Sequence, residues 1–461
     1  MQANLIFPSS YSLILSMDSS AKFLLLSLLI SFSLSHAQTP SKSSLKPKAL
    51  VLPITKDSST LQYLTRLNLG TPLVLKNLVV DLGGQHLWID CDTDYHSLTY
   101  RPGHCGSATC SQAKAFCVSI CLNPPGPNCN NNSCIVDAQN SVFGAGTTAH
   151  VSLDTISFQS TDGSKAGPPV SFSNFIFGCA HNFSLTSLAS GANGMIGLGK
   201  ERLAFPSQLS SLFGGSLRRK FAICLPSTSK SNGVLFLGDS PYQFYPGYNT
   251  SKAIDVSSRL TYTKLHTNYK RTATPRLQGA QVPEYFVKIT SILVNRKPIP
   301  INTTLLDFHR TGIGGSRITT VKPYTILESS IYDSLVKAFD TEIATWKVKK
   351  VAAVEPFRDC YSKGNLAMSP LGLAVPDITF VFENKDVSWD MYGANSMVEI
   401  SNDVVCLGFL RGVTEIWTTT SIDIGAYQLQ DNLVQFDLAA SRMAFTNTLL
   451  LEEVECSNFN F

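Results

Sequence analysis

Short runs of β-branched and aromatic residues, separated by polar turn residues, dominate this chain of 461 residues. Val, Ile, Thr and Phe are concentrated in the runs, and Gly, Pro, Asn and Ser interrupt them, which is typical of many short strands. Few stretches keep a helical period. One that does is 331–348, which we predict to be a helix. The pattern predicts an all-β protein, mainly antiparallel, with few short helices.

Length and composition extend this prediction. Hydrophobic residues make up 44% of the chain, which is enough for a large core and more than one lobe. Charged residues make up only 15%, below the roughly 25% of a typical domain. Stretches rich in Gly, Asn or Ser lie between the hydrophobic runs, so we interpret them as loops rather than disordered domains.

One hydrophobic run ends in an acidic residue. It reads Val79-Val80-Asp81-Leu82-Gly83-Gly84, and Leu87-Trp88-Ile89 follows. The segment resembles the first active-site motif of the pepsin-like aspartic proteases, where an apolar strand leads into Asp-Thr-Gly-Ser and then Leu-Trp. Leu82 and Gly84 stand where that motif has hydroxyl groups. Asp81 therefore keeps the carboxylate of the motif without the groups that orient it.

The family's chemistry requires a second carboxylate. Two aspartates about 3 Å apart share one proton and activate a water molecule. The candidate second segment is Tyr324-Thr325-Ile326-Leu327-Glu328-Ser329-Ser330, with Glu328 at the Asp position. The extra methylene of Glu displaces the carboxylate, and a misplacement of about 1 Å costs roughly 100-fold in rate. We therefore predict that Asp81 and Glu328 are a vestigial pair.

A third segment is similar to the flap hairpin that covers the cleft in this family. It reads Ser141-Val142-Phe143-Gly144-Ala145-Gly146-Thr147, and Phe143 replaces the usual Tyr. Further segments match the family in the same order, from about residue 60 to 445. They include Phe177-Gly178-Cys179, Gly194-Met195-Ile196-Gly197-Leu198-Gly199, Gly233-Val234-Leu235-Phe236-Leu237-Gly238, Val375-Pro376-Asp377-Ile378 and Val434-Gln435-Phe436-Asp437.

Two segments point to one branch of the family. Glu328-Ser329-Ser330-Ile331-Tyr332 and Gly425-Ala426-Tyr427-Gln428 resemble the plant extracellular dermal glycoproteins, basic 7S globulins and inhibitors of xylanase and xyloglucan endoglucanase. The resemblance implies a bilobal pepsin-like fold in a monomer without a cofactor or metal. It also implies a protein without useful proteolysis that inhibits microbial cell-wall glycoside hydrolases. We expect lobes at 60–250 and 251–461, after an extension at 38–59.

The implied inhibitor uses second-lobe loops. Glycosidases carry a pair of carboxylates in a cleft, and Arg pairs with a carboxylate bidentately. The candidate loops are 308–317 and 410–421. Their candidate residues are Arg310, Arg317, Arg411 and Trp417, of which the Trp suits a sugar subsite. Ordinary solvated surface arginines are the competing interpretation.

Two other functions stay open. One is an atypical aspartic endopeptidase that uses Asp81 with Glu328. The other is a wall or peptide-ligand binding protein like the basic 7S globulins. The formal net charge is +4, and no basic stripe with interleaved aromatics indicates nucleic-acid binding.

The N-terminal segment predicts export. Residues 23–34 are an apolar run preceded by Lys22, and Ser35-His36-Ala37 supplies small residues at cleavage offsets. The run is too short to span a bilayer, which needs about 20 residues. We predict a signal peptide at 1–37, with Met17 as an alternative start, and a secreted protein of the apoplast or cell wall.

Twelve cysteines agree with an oxidising compartment. Six crowd together, at Cys105, Cys110, Cys117, Cys121, Cys129 and Cys134. This cluster contains no Cys-x-x-Cys, which disfavours zinc, so we expect disulfides within it in an unresolved order. The resemblance implies Cys91–Cys179, Cys224–Cys456 and Cys360–Cys406. Four sequons predict glycosylation, at Asn131, Asn182, Asn249 and Asn302.

Overall fold

The structure is a computed structural model that describes residues 47–122, 124–247, 252–269, 281–309, 312–412 and 420–461. The chain from Pro47 onward forms one compact unit. Most of its described elements are strands, so the all-β prediction is confirmed. No helix within these ranges is long and apolar enough to cross a bilayer.

The strands are numbered in chain order. They are β1 (Ala49–Lys56), β2 (Tyr63–Leu69), β3 (Val74–Asp81), β4 (Trp88–Asp90), β5 (Arg101–Pro102), β6 (Phe116–Val118), β7 (Ser133–Asn140), β8 (Ala145–Thr161), β9 (Ala166–Ala180), β10 (Gly194–Gly197), β11 (Lys220–Cys224), β12 (Gly233–Gly238), β13 (Gln243–Phe244), β14 (Ile254–Asp255), β15 (Thr261–Lys264), β16 (Tyr285–Val287), β17 (Ile289–Val294), β18 (Lys297–Pro298), β19 (Ser316–Ile318), β20 (Thr325–Leu327), β21 (Lys350–Val351), β22 (Cys360–Ser362), β23 (Met368–Ser369), β24 (Gly372–Leu373), β25 (Ile378–Phe382), β26 (Ser388–Met391), β27 (Met397–Glu399), β28 (Val404–Leu407), β29 (Phe409–Arg411), β30 (Ile422–Ile424), β31 (Leu433–Asp437) and β32 (Arg442–Phe445).

One sheet of fifteen described strands runs through both halves of the chain. Its order is β15-β32-β31-β11-β12-β1-β2-β3-β10-β4-β9-β8-β7-β6, with β5 on β8. Strand β1 lies in its interior, between β12 and β2. The sequence predicts an N-terminal extension at 38–59, which includes β1. The apolar residues of β1 are nevertheless buried. At the other end β31 pairs antiparallel with β11, so the two halves of the chain share this sheet.

Smaller sheets occupy the second half. Five strands are ordered β16-β19-β30-β20-β29, and two sheets of four are ordered β18-β17-β25-β26 and β21-β22-β28-β27. The pairs β13-β14 and β23-β24 complete the described sheets. These short strands bury nearly continuous apolar runs against one another, as in Ile378–Phe382.

Four α-helices lie within the described ranges. They are α1 (Ala108–Ala113), α2 (Phe205–Leu212), α3 (Ser329–Ala344) and α4 (Gly393–Ser396). The predicted helix at 331–348 is α3, which begins two residues earlier and ends four residues earlier. Its core-facing residues follow the spacing of one helix face. They include Ile331, Leu335, Phe339 and Ile343.

All twelve cysteines form disulfides. The long-range pairs are Cys91–Cys179, Cys224–Cys456 and Cys360–Cys406, which are the pairs that the resemblance implies. Within the cluster of six, the pairs are Cys105–Cys117, Cys110–Cys134 and Cys121–Cys129. The cluster therefore closes on itself, around the short ladder of β6 and β7.

Candidate functional site

Asp81 is the last residue of β3 and lies in the interior of the protein. Its side chain is only 4% exposed. The backbone N–H of Gly83 donates to Oδ1 at 2.8 Å, and the hydroxyl of Ser141 donates to Oδ2. Burial raises the pKa of Asp81, against the effect of these two hydrogen bonds. Asp81 is therefore protonated more readily in the folded protein than in the unfolded chain.

Ser141 supplies a hydroxyl that the sequence motif lacks. Gly84 cannot be replaced by Ser in this backbone, because an added Cβ would lie 2.6 Å from the Cα of Gly197. Ser141 instead reaches Asp81 from the turn between β7 and β8. Sequence reasoning missed this role. The only signal was the position of Ser141 two residues before Phe143.

The pairing of β19 locates the matching position in the second half. In the first half, β10 runs parallel to β3 with Gly197 opposite Asp81. In the second half, β30 runs parallel to β19, and Ile318 is opposite Ile424. One residue further along, Thr319 donates its N–H to the carbonyl of Ile424 at 3.0 Å. Thr319 thus occupies the position that Asp81 occupies in the first half.

The local hydrogen bonds of the two positions agree. Oδ1 of Asp81 accepts the N–H of the residue two positions later, at 2.8 Å. Oγ1 of Thr319 likewise accepts the N–H of Val321, at 3.3 Å. Thr319 is buried, with 7% exposure. A hydroxyl therefore stands where an aspartic protease has its second carboxylate.

Thr320 connects the two active-site segments. Its hydroxyl donates to the carbonyl of Val80 at 2.6 Å and accepts the N–H of Leu82 at 3.2 Å. Leu82 stands at the corresponding position of the first segment, but it is apolar and cannot form the same bonds to the second segment. Only the hydrogen bonds from Thr320 to the first segment are thus present.

The assignment of Glu328 as the partner of Asp81 is wrong. Its carboxylate accepts the N–H groups of Ser330 and Ile331 at 2.9 and 3.3 Å and caps the N-terminus of α3. It also accepts the hydroxyl of Ser329 at 2.9 Å. Although partial burial disfavours its charged form, bonds from Ser330 and Ser329 lower the pKa of Glu328. Glu328 is a helix cap, and Thr319 holds the position assigned to it.

Arg317 is also placed differently from its sequence assignment as an inhibitory-loop residue. It lies in β19, where Nε and Nη2 donate to Asp423 at 3.0 and 2.6 Å. Its Nη1 donates to Oε1 of Glu284 at 3.4 Å. Glu284 in turn packs over the Asp81 segment, since a Cβ added to Gly83 would lie 2.7 Å from its Cγ. This guanidinium is therefore engaged inside the cleft and is not a free surface group.

Arg411, another loop candidate, ends β29 and forms a bidentate pair with Asp333 of α3. Both nitrogen–oxygen distances are 2.9 Å. The pair is solvent-accessible, with side-chain exposures of 30% for Arg411 and 59% for Asp333. Arg310 and Trp417 lie outside the described residues.

Phe143 lies in the turn of the β7–β8 hairpin, where the sequence predicts the flap. The side chain of Asn140 accepts the N–H groups of Val142 and Phe143 at 3.1 and 3.0 Å and shapes this turn. Phe143 is 58% exposed. A residue at the hairpin tip can therefore be changed without opening the core.

The remaining candidate sites are on the surface. Three sequon asparagines, Asn131, Asn182 and Asn302, are exposed, and Asn249 lies outside the described residues. Among the residues that the structure describes, no group of three His, Cys, Asp or Glu side chains could hold a metal.

Sequence comparison shows what the whole chain is similar to. The family model described as Xylanase inhibitor N-terminal matches residues 63–239, and that described as Xylanase inhibitor C-terminal matches 284–447. "Probable aspartic proteinase GIP2" of Nicotiana benthamiana is 46% identical over 422 residues, which cover 91% of this chain and 94% of that protein. Basic 7S globulin of Glycine max is 32% identical, with 95% and 98% covered.

Solved structures give the same result. The crystal structure of edgp has a TM-score of 0.86 at 46% identity, covering 91% of this chain and 99% of that chain. Conglutin gamma from lupine seeds has a TM-score of 0.75 at 32% identity, with 90% and 100% covered. The predicted bilobal fold is thereby confirmed.

Proposed function

Because this chain belongs to the xylanase-inhibitor family of aspartic-protease-like plant proteins, we propose that it inhibits microbial cell-wall glycoside hydrolases. The expected targets are enzymes of the xyloglucan endoglucanase or xylanase type. The observation that carries the proposal is Thr319 at the second carboxylate position, in a chain that matches both inhibitor domains. Proteolysis of this class requires two carboxylates that share a proton.

The endopeptidase alternative loses its chemical basis at this site. Glu328, its proposed second acid, is occupied as the cap of α3. Glu284 lies near Asp81, but it is ion-paired with Arg317. A hydroxyl at Thr319 cannot take up a proton as a carboxylate does. Asp81 alone therefore offers no pair to activate water.

The proposal places the target contact on the segments 308–317 and 410–421. Arg317 is excluded from that contact by its pairing with Asp423. Arg411 stays a candidate because solvent screens an exposed pair such as Arg411–Asp333, which therefore adds little to stability. A carboxylate of the target can therefore replace Asp333. Arg310 and Trp417 complete the proposed contact.

Export to the apoplast is part of the same proposal. Six disulfides require an oxidising compartment for their formation. The signal peptide at 1–37 and glycans on the sequons are the corresponding expectations. N-terminal sequencing of the secreted protein tests the signal peptide. A decrease in its mass after treatment with a glycosidase tests the glycans.

The deciding experiment measures two activities of the purified secreted protein. We expect nanomolar inhibition of at least one enzyme in a panel of xylanases and xyloglucan endoglucanases, and no acid proteolysis of denatured protein. Arg411→Ala combined with Trp417→Ala should weaken the inhibition. Arg259→Ala is the matched control, since Arg259 forms a similarly exposed pair with Glu452.

Two results would overturn the proposal. One is pepstatin-sensitive proteolysis that disappears in Asp81→Ala, which would restore the endopeptidase. The other is a lack of inhibition across the whole panel. Proteolysis that persists in Asp81→Ala comes from a contaminating enzyme, and repurification removes it.

A further inference from the structure

The turn that follows α3 exposes a large aromatic side chain. Trp346 is 42% exposed, and its side chain makes no hydrogen bond or ring contact with a residue that the structure describes. By contrast, Trp88 of β4 and Trp389 of β26 are buried, with exposures of 2% and 0%. The indole of Trp346 therefore offers solvent both an apolar ring face and an N–H donor.

Two lysines beside Trp346 lack an acidic partner. Lys347 and Lys349 are exposed, and neither side chain forms an ion pair within the described ranges. Acidic side chains of α3 and of the residue before β22 already pair with other lysines. These pairs are Asp340–Lys350, Asp359–Lys350 and Glu342–Lys297, at 2.7, 2.6 and 2.7 Å. The charges of Lys347 and Lys349 are therefore available to an external anion.

The backbone of this turn is anchored to the rest of the protein. The carbonyl of Lys347 accepts the side-chain amide of Asn365 at 2.9 Å, and the carbonyl of Lys349 accepts the N–H of Ser362 at 2.8 Å. Val348, between the two lysines, is buried with 8% exposure. Since the backbone is already fixed, a ligand needs to order only the exposed side chains.

The three side chains suit a sugar chain that carries carboxylates. Residues 346–349 span at most about 11 Å, so the indole and both ammonium groups lie within the reach of a short oligosaccharide. A sugar ring can pack the C–H groups of one face on the indole, and its hydroxyls can accept the indole N–H. Carboxylates on neighbouring sugars can pair with the lysines. A neutral sugar would use only the tryptophan, and a simple anion only the lysines.

An anionic membrane surface is the competing partner for a tryptophan beside lysines. Segments that bind anionic lipids carry clusters of about four to eight basic residues. Here two lysines without acidic partners stand beside Trp346, and the next one, Lys350, is engaged by two carboxylates. The small number of available charges therefore favours a saccharide.

We propose that Trp346, Lys347 and Lys349 bind an acidic polysaccharide, with the indole packed on a sugar ring and the ammonium groups paired with its carboxylates. This binding activity goes beyond the proposed inhibition and uses no residue of the segments 308–317 and 410–421. Arg411 pairs with Asp333 near the start of α3, whereas Trp346 follows the end of this helix, about 16 Å further along its axis. Attachment to an acidic polymer therefore leaves the proposed target contact free.

Calorimetric titration of the full secreted protein with an oligogalacturonate of ten sugars tests the role of the charges. We expect micromolar binding at low ionic strength that weakens as salt is added. Lys347→Ala combined with Lys349→Ala should weaken this binding at least about tenfold, since two charge-assisted contacts are lost. Lys230→Ala combined with Lys385→Ala is the matched control, because both lysines are exposed elsewhere and the same charge is removed. The control should retain nearly the affinity of the wild type.

Trp346→Ala tests the role of the indole. It should weaken the binding about tenfold as well. The wild type should show a change in tryptophan fluorescence on binding that this variant lacks. Because the changed side chains are exposed, unfolding temperatures and glycosidase inhibition should stay unchanged in every variant. The binding and the inhibition are thus tested separately.

Several outcomes overturn the proposal. One is a lack of binding at low ionic strength, and another is an equal loss in both lysine double variants, which indicates general attraction between a basic protein and a polyanion. Unchanged binding by Trp346→Ala removes the sugar contact. Equal affinity for the fully methyl-esterified oligosaccharide removes the carboxylate contact. Binding to phosphatidylserine vesicles in place of the oligogalacturonate assigns the surface to a membrane.

Discussion

At the residue scale, Asp81 is still held by hydrogen bonds, but the second carboxylate that catalysis requires is missing. Ser141 supplies the hydroxyl that Gly84 cannot carry, and Thr320 bonds to the backbone on both sides of Asp81. Thr319 faces this arrangement without a carboxylate. With Thr319 in place of a second carboxylate, the hydrogen bonds around Asp81 are present, but the two carboxylates that would activate water are not.

Asp81→Asn tests the energetic state of this group. The pKa of Asp81 is raised above its usual 3.8 in the folded protein. Folding therefore favours the protonated form, and the stability of the protein falls as pH rises through the raised pKa. Asn carries no charge, so the variant should unfold at a higher temperature than the wild type at neutral pH. The difference should vanish in acid, below the unfolded pKa.

Thermal unfolding followed over a range of pH measures this effect. Asp386→Asn, at an exposed position, serves as the control for a simple loss of surface charge. If Asp81→Asn unfolds at a lower temperature at neutral pH, the bonds from Ser141 and Gly83 stabilise the ionised form more than burial penalises it.

Some site residues can be located from the local sequence, and others only from the pairing of strands. Asp81 and Phe143 stand in local motifs whose spacing survives. Thr319 has no carboxylate, the feature that marks this position in the protease motif, and the sequence pattern points instead to Glu328, nine residues later. Only the parallel pairing of β19 with β30 identifies Thr319, and strand pairing is not written in the local sequence.

At the element scale, α3 shows how Glu328 contributes. The helix begins at Ser329 because the carboxylate of Glu328 accepts two N–H groups of its first turn. The sequence predicted this helix from its apolar spacing, but placed its start two residues late. The sequence does not reveal this capping role, because the resemblance to the protease motif assigns Glu328 to the catalytic pair.

Glu328→Ala should lower the free energy of unfolding by about 0.5–2 kcal/mol, as expected for the loss of an N-cap. The pKa of Glu328 is lowered from 4.5. Its contribution is therefore present above that value and is lost as pH falls through the lower folded pKa. Urea denaturation at neutral and acid pH measures both effects.

Glu328→Asp is the conservative comparison, since Asp is also a favoured cap. It should retain most of the stability at neutral pH. An equal loss in both variants, or a loss for Glu328→Ala that does not diminish in acid, would contradict the capping role.

The cysteine cluster is an element whose pairing the sequence left open. Six cysteines allow 15 connectivities, and their spacing alone selects none. Folding brings Cys117 of β6 opposite Cys134 of β7, yet each pairs elsewhere, with Cys105 and Cys110. The ladder and the position of α1 thus select the partners, and both are products of the fold.

At the scale of the whole molecule, the long sheet joins the two halves. Strand β31 pairs with β11, and the disulfide Cys224–Cys456 links the end of β11 to the C-terminal segment. The sequence predicted two lobes and the order of their segments. It did not predict that β31 of the second half pairs with β11 of the first half, because β31 has the same apolar pattern as any other buried strand.

Removal of this disulfide should be costly. Its cysteines are 232 residues apart in sequence, so their cross-link restricts the unfolded chain strongly. We expect Cys224→Ala with Cys456→Ala to lose roughly 2–5 kcal/mol of unfolding free energy. The pair Cys105–Cys117, with a separation of 12, is the matched control and should cost less.

Guanidinium denaturation of both double variants measures the difference. If the short-range variant proves as unstable as the long-range one, local strain rather than chain restriction governs these disulfides. Inhibition assays on the same variants separate loss of stability from loss of the target contact.

The position of β31 in the sequence also determines when the long sheet can be completed during synthesis. The ribosome completes β11 more than two hundred residues before it makes the partner strand at Leu433–Asp437. Until then one edge of the first sheet is unpaired, and an open strand edge invites association with other chains. The nascent protein must therefore be protected during synthesis, and the first sheet is completed only after β31 has been made.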